Sequence, residues 1–298
     1  MDKQTLSSYG WIVICVLVLV VMIAFATPFA KYVFNGSDMA VTGLYDTEHH
    51  ALNAAGIDMK AIYIKTEAEL VAAVTKGQRN LILGGDITIH DTLNITYDMT
   101  IDMNGHAIHQ NEPNKGIFEI DSGITLEIID KYAEAYRHTY KQVDNHYVLD
   151  DNGPIAIYAG TLSGCHGNTP AVLIRGTFIA NGITIAGNHH TDNGGVFAIM
   201  GGGKAILNGT TIRNNVSDKD GGIAKLSANA FVEMNGGFFT TNTANNGSAF
   251  YLSGGVFSMN GGRIEGNIAR NSGGIYLESG TIMQNAGSIG DGIINAQN

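Results

Sequence analysis

Through the second half of the chain, apolar and polar positions alternate in short bursts: Val172/Ile174, Phe197/Ile199, Ala224/Leu226 and Phe250/Leu252 each flank one intervening residue. A period of two is what a strand needs to send one face inward and the other outward. The bursts themselves recur. From about Gly176 the segments FIANGITIAGNHHTDNGGVFAI, AILNGTTIRNNVSDKDGGIAKL, FVEMNGGFFTTNTANNGSAFYL and FSMNGGRIEGNIARNSGGIYLE follow one another. One Asn returns at Asn181, Asn208, Asn235, Asn260 and Asn285, at intervals of 27, 27, 25 and 25 residues, and a second at Asn188, Asn215, Asn242 and Asn267. Four residues after the first Asn stands Ile185, Ile212, Phe239, Ile264 or Ile289, which fixes the register.

Repeats of this length call for a solenoid. Three short strands per period, parted by Gly and Asn at corners where left-handed backbone is wanted, leave no room for a helix of about ten residues. Stacked coils bury their inward side chains in one column and pair each strand with the coils above and below, about 4.8 Å away. The expected fold is therefore all-β, a right-handed parallel β-helix. Asn at a corner tolerates left-handed φ and can hydrogen-bond the Asn of the next coil, so both ladders read as structure before any ligand is invoked.

Upstream, TEAELVAAVTKG predicts a short amphipathic helix: Thr66 with Glu69 forms a capping box, Leu70, Val71 and Val74 give the apolar stripe, and Gly77 stops it. It would close the N-terminal end of the column. Asn104, Ile108 and Asn111 repeat the spacing of the later ladders, which extends the solenoid over 60–298 as roughly eight coils, about 40 Å long. Residues 131–153, rich in Tyr and His, interrupt the pattern and read as an insertion. Tyr132, Tyr136, Tyr140, Tyr147, Arg137, His138 and His146 offer either a clasp for a sugar or partner, or a hairpin packed on the flank.

The first thirty residues differ in kind. No charge occurs from Thr5 to Ala30, and Trp11 to Ala30 would span about 30 Å as a helix, one bilayer core. Residues 1–32 are expected to be a transmembrane signal anchor, with Trp11, Phe29, Lys31 and Tyr32 where interfacial anchors belong. A secretory peptide cleaved after Ala26 and a pilin-like leader ending at Gly10 are the alternatives. Residues 33–59 would be a stalk, in which His49 and His50 read as a solvated pair.

Composition adds exclusions. A net charge of −10 argues against nucleic acid, whose binders need a basic face. Cys15 and Cys165 are too few and too far apart for a disulfide framework or metal pattern. With 39 Gly and 4 Pro, the chain suits one repetitive β architecture.

The helix TEAELVAAV, then LGGDITI, then TIDMNGHAI, and the later NGGRIEGN coils resemble the Gly/Asn-rich right-handed β-helix surface proteins of bacteria, the pectate-lyase-like superfold in its adhesin-type form. The resemblance covers about 60–298. It implies export and surface display more firmly than any reaction, and together with the anchor expected on 1–32 gives a single-pass bacterial membrane protein with the β-helix outside the cytoplasm.

Lyases and hydrolases on such folds gather carboxylates on one outward strand face. The outward positions here read Glu119, Leu173, Ala198, Lys225, Tyr251 and Leu277, which form no such cluster, so no catalytic residue is assigned and a carbohydrate-active enzyme is the alternative reading. Asp192, Asp218 and Asp220 lie in equivalent loops and raise the question of Ca²⁺, the one cofactor considered. The apolar run Leu173, Tyr251 and Leu277, flanked by Val196, Ile223 and Ile275, is the expected partner surface, for a carbohydrate, a protein or a second copy. The role expected is structural or adhesive.

Overall fold

The computed structural model describes residues 61–131, 136–271 and 273–296. Over these the chain winds as a parallel β-solenoid of about seven turns, close to the expected count, with strands stacked in register from coil to coil. Ile87, Ile108, Leu162, Ile185, Ile212, Phe239, Ile264 and Ile289 lie directly above one another. All but the last are buried, so the column inferred from the spacing is the core. A second column, Phe118, Val172, Phe197, Ala224, Phe250 and Ile275, runs beside it, and Phe250 rests between Phe239 and Phe257.

The N-terminal end is closed as the sequence predicts. Helix α1, Glu67–Thr75, begins at a complete capping box, and Leu70, Ala73 and Val74 join the core. Val71, expected on the apolar stripe, is 41% exposed, and Ala73 takes its place. At the other end the strand Ile275–Ile289 is mostly open, and its inward Leu277, Ile282 and Ile289 are only partly covered.

Both Asn ladders form, and they run in opposite senses. In the outer one, the side-chain amide of each Asn donates toward the N-terminus: Asn285 to Asn260, Asn260 to Asn235, Asn235 to Asn208 and Asn208 to Asn181, at 2.6–2.9 Å. Asn181 donates at 2.9 Å to Glu127, a carboxylate that can only accept. In the inner ladder, buried from Asn188 to Asn242, the amides donate toward the C-terminus, Asn188 to Asn215, Asn215 to Asn242 and Asn242 to the half-buried Asn267. There Asn267 donates at 2.8 Å to Asp291. Each ladder thus ends on a carboxylate at its accepting end, and that acceptor fixes the orientation of every amide behind it.

The residue before each inner Asn takes left-handed φ: Gly187 at 64°, Asn214 at 55°, Thr241 at 54° and Gly266 at 73°. Upstream the ladder changes. Cys165 occupies the equivalent position, and its backbone N–H donates to Asn188. Asn111, one coil earlier, is exposed. Asn104 also departs from expectation, because the corner there is two residues longer. Across the sheet it is Asp102, through Ile129, that aligns with Asn181.

The expected localisation as a single-pass membrane protein is corrected: no helix among the described residues is long and apolar enough to cross a membrane. The anchor placed on 1–32, with Trp11, Phe29, Lys31 and Tyr32, the stalk on 33–59, and His49 and His50 lie outside the described residues.

Candidate functional site

A short fourth strand follows the inner Asn of each coil, or Cys165 in the first of them, and these strands stack as a narrow sheet: His166–Gly167, His189–His190, Val216–Ser217, Thr243–Ala244 and Ile268–Ala269. Because the register is regular, one position forms a column, reading His166, His189, Val216, Thr243 and Ile268. His189 Nε2 lies 2.9 Å from the Asp218 carboxylate, which accepts.

Over one end of this column lies the insertion. Its strands His138–Val143 and His146–Leu149 pair antiparallel, and Ile155–Ile157, just beyond the insertion and expected to resume the coils, joins them instead as the third strand of a flap. Of the two readings open in the sequence, the hairpin packed on the flank is the one formed. Tyr140 and Tyr147 stack at 5.5 Å and pack with Ile157 and Ala186 into a small second core. The flap covers an outer strand face made of small or polar residues, Thr161, Ser163, Ala186 and His109, all buried. These tyrosines are therefore turned into the protein and are not available as a sugar clasp. Tyr132 lies outside the described residues.

Charge holds the root of the flap. His138 places Nδ1 2.9 Å from Asp86 and Nε2 2.6 Å from the carbonyl of Gly105, so both ring nitrogens face acceptors. Asp86 also meets His106 at 3.3 Å and accepts from the backbone of Ala107. Burial works to raise the Asp86 carboxyl, but the hydrogen bonds from the two histidines outweigh it and hold it far below the usual carboxylate range. Burial likewise opposes charge on His138, yet Asp86 raises it above its ordinary value.

At the tip the contact is different. The His146 ring lies flat on His166, with centroids 4.0 Å apart and 13° between planes. Burial, then His166 and His189, pull His146 down to about 4. Burial, then His146 and His166, do the same to His109.

Between the flap tip and the rest of the column is a cleft of about 370 Å³, within the range of small-ligand sites. Gln142 and Asn145 form its flap wall, Val216, Ala244 and Ile268 part of its floor, and Asn214, Asp218, Thr241, Thr243, Asn245 and Arg270 its other sides. Carboxamides and hydroxyls present both donors and acceptors. Among these lining residues Asp218 is the one carboxylate. Acid–base hydrolysis of a glycoside uses a pair.

The residues singled out from sequence fall elsewhere. Leu173 and Tyr251 do share the outward column Glu119, Leu173, Ala198, Lys225, Tyr251, Tyr276 and Ile294. Leu277 does not, since it aligns with Leu252 on the inward side. Val196, Ile223 and Ile275, expected to flank an exposed ribbon, are fully buried. Tyr251 is only 8% exposed, stacked on Tyr276 at 5.0 Å with the Lys225 ammonium 4.6 Å from its ring centre. Burial, then Glu278, pushes its phenol up to about 12.

The three aspartates weighed for Ca²⁺ do not converge. Asp192 pairs with Lys219, Asp218 with His189, and Asp220 with Asn246 and Lys225. No group of three potential metal ligands occurs among the described residues. Comparison of the chain with family models, with curated proteins and with solved structures finds no match in any of the three.

Proposed function

We propose that this chain is a binding scaffold, in which the stacked coils and the flap present the polar cleft to a hydroxyl-rich ligand, a carbohydrate chain. The observation that carries the reading is the lining: carboxamides from two separate elements, Gln142 and Asn145 on the flap and Asn214 and Asn245 on the coils, face one apolar-floored groove. Sugars are recognised by such bidentate polar groups above small apolar patches, whereas a strongly ionic ligand would call for clustered charge. The repeated coil spacing of about 4.8 Å suits an extended ligand lying along the solenoid axis. The resemblance to Gly/Asn-rich, pectate-lyase-like β-helices of adhesin type agrees with a structural or adhesive role.

The test is calorimetry of the full chain against neutral and acidic oligosaccharides, with Asn145→Ala and Arg270→Ala as variants. Each substitution removes hydrogen bonds worth about 1 kcal/mol, so affinity should fall roughly fivefold to tenfold per site while the β-rich circular dichroism stays unchanged. The reading fails if no oligosaccharide binds at millimolar concentration, or if binding is indifferent to both changes.

A further inference from the structure

The flap stands on two histidine contacts of opposite character, one at its root and one at its tip. At the root, His138 sits between a carboxylate and a carbonyl, an arrangement that favours the charged ring. At the tip, His146 meets another imidazole face to face, and the next coil places His189 beside His166 in register. His166 Nδ1 is 3.0 Å from the carbonyl of Gly164, so its bonding does not depend on the flap.

We propose that the tip is an acid-sensitive latch: protonation of His146, whose ring lies on His166 with His189 beside it on the next coil, lifts the flap end that carries Gln142 and Asn145, and so dismantles one wall of the cleft, while the Asp86–His138 contact keeps the root in place. The inference rests on the cleft being the binding site, and it adds the regulation of that site.

The surroundings bear on the sign. Around the stack stand His109 on the coil below the flap, Asp144 in the flap's own turn, and Asp218 on His189. Arg213 lies against Tyr147 and donates to the carbonyl of Ala156, adding a fixed cation beside the flap. Asp144 favours charge on His146, but burial and the two neighbouring imidazoles prevail. A proton on His146 would set an imidazolium flat against the His166 ring, with no carboxylate in the stack. The closed flap therefore binds protons less readily than the open one.

A group whose value is depressed in the closed state favours closure above its free value and loses that preference as pH falls. For His146, taken from an ordinary 6.5 to about 4, the open-to-closed ratio should rise about thirtyfold between pH 7.5 and pH 5. Over the same interval the root gains through His138, whose value is raised, while Asp86, with a lowered value, stays charged throughout and changes nothing. The flap should hinge rather than detach.

The experiment is hydrogen exchange by mass spectrometry on the full chain without ligand, at pH 7.5 and pH 5.0 and corrected for intrinsic rates. A parallel measurement follows oligosaccharide binding at both values. Expected is a loss of protection at pH 5.0 confined to 142–147, with 138–140 equally or better protected, and a matching loss of binding. His146→Phe keeps a stacked ring and removes the titration, so it should abolish most of the acid response. His90→Gln, at an exposed histidine bonded to Glu67, should leave it intact. Should the Phe variant fold poorly, His166→Phe tests the same stack from the coil side. Equal protection of 142–147 at both values, or equal loss at root and tip, overturns the latch. Opening of the tip in a chain that binds no oligosaccharide at pH 7.5 supports the latch and refutes the carbohydrate reading.

Discussion

Asn215 on the inner ladder and Asn235 on the outer ladder of the next coil are the same residue type, yet their removal should have very different effects. Asn215 is fully buried. Its side-chain nitrogen donates to the carbonyls of Ile185 and Arg213 and to Asn242 Oδ1, and its oxygen accepts from the backbone and side chain of Asn188. In Asn215→Ala, Asn242 Oδ1 keeps the backbone N–H of residue 215, and the Asn188 amide keeps Leu162 and Ala186. The backbone N–H of Asn188 is left without its acceptor in a place water does not reach. One such orphan costs about 1–3 kcal/mol, and the space vacated adds about 1 more, so about 3 kcal/mol is expected. Asn235 is exposed, and water can replace both its ladder bonds, so Asn235→Ala should cost less than about 0.5 kcal/mol. For a domain of this size, melting should fall by about 6–12 °C in the first variant and by no more than about 2 °C in the second. Asn215→Asp should be worse than Ala, since a carboxylate oxygen would face three acceptors. Similar melting of the two Ala variants would refute the idea that the inner ladder holds the coils and the outer one merely decorates them.

Thr241 is a β-branched residue held at φ 54° where two of its repeat partners are Gly, so Thr241→Gly should raise stability by about 0.5–1 kcal/mol, strain relief exceeding the added chain entropy. A lower denaturation midpoint would show that the threonine side chain holds this corner. At the flap root, His138 contributes stability that is present below its ordinary 6.5 and lost as pH rises through its raised value, and Asp86 contributes stability present above 3.8 and lost as pH falls through its lowered value. Amides 138–140 should therefore exchange faster at pH 9 than at pH 6 after intrinsic correction, and Asp86→Asn should remove the difference; a pH-independent root would contradict the ion-pair account.

Much of the fold was legible because it repeats. A strand period of two and an Asn every 25 to 27 residues leave one register open, and the buried column follows it. The errors arose where the count changes. The last coil reaches its strand one residue sooner after Gly273–Gly274 than earlier coils do after their glycines, so Tyr276, not Leu277, faces outward. Val196 and Ile223, placed on the rim by reading only one strand face, belong to the interior. The cleft was hidden for another reason: its walls, Asn145 and Asn245, lie far apart in sequence and meet only because the flap folds back. A signal for that cover was present. Thr161, Ser163 and Ala186 are unusually small for outward positions, and small outward residues leave room for something to lie on them.

The outer ladder also bears on how long the protein lasts. Asn181, Asn208, Asn235 and Asn260 are each followed by Gly, the neighbour that least hinders attack of the backbone nitrogen on the side-chain amide, with loss of ammonia. In the folded coil each amide is held by its neighbour and the corner is rigid. In an unfolded chain all four are free to cyclise, and the aspartate or isoaspartate that results has no N–H to pass on. Such a residue would stand in mid-stack as Glu127 stands at the end, a terminator where the repeat needs a donor. Time spent unfolded would thus be written into the outer face of the coils as added negative charge and a broken relay of amides, while the inner ladder, in which no Asn from Asn188 to Asn267 is followed by Gly, is spared.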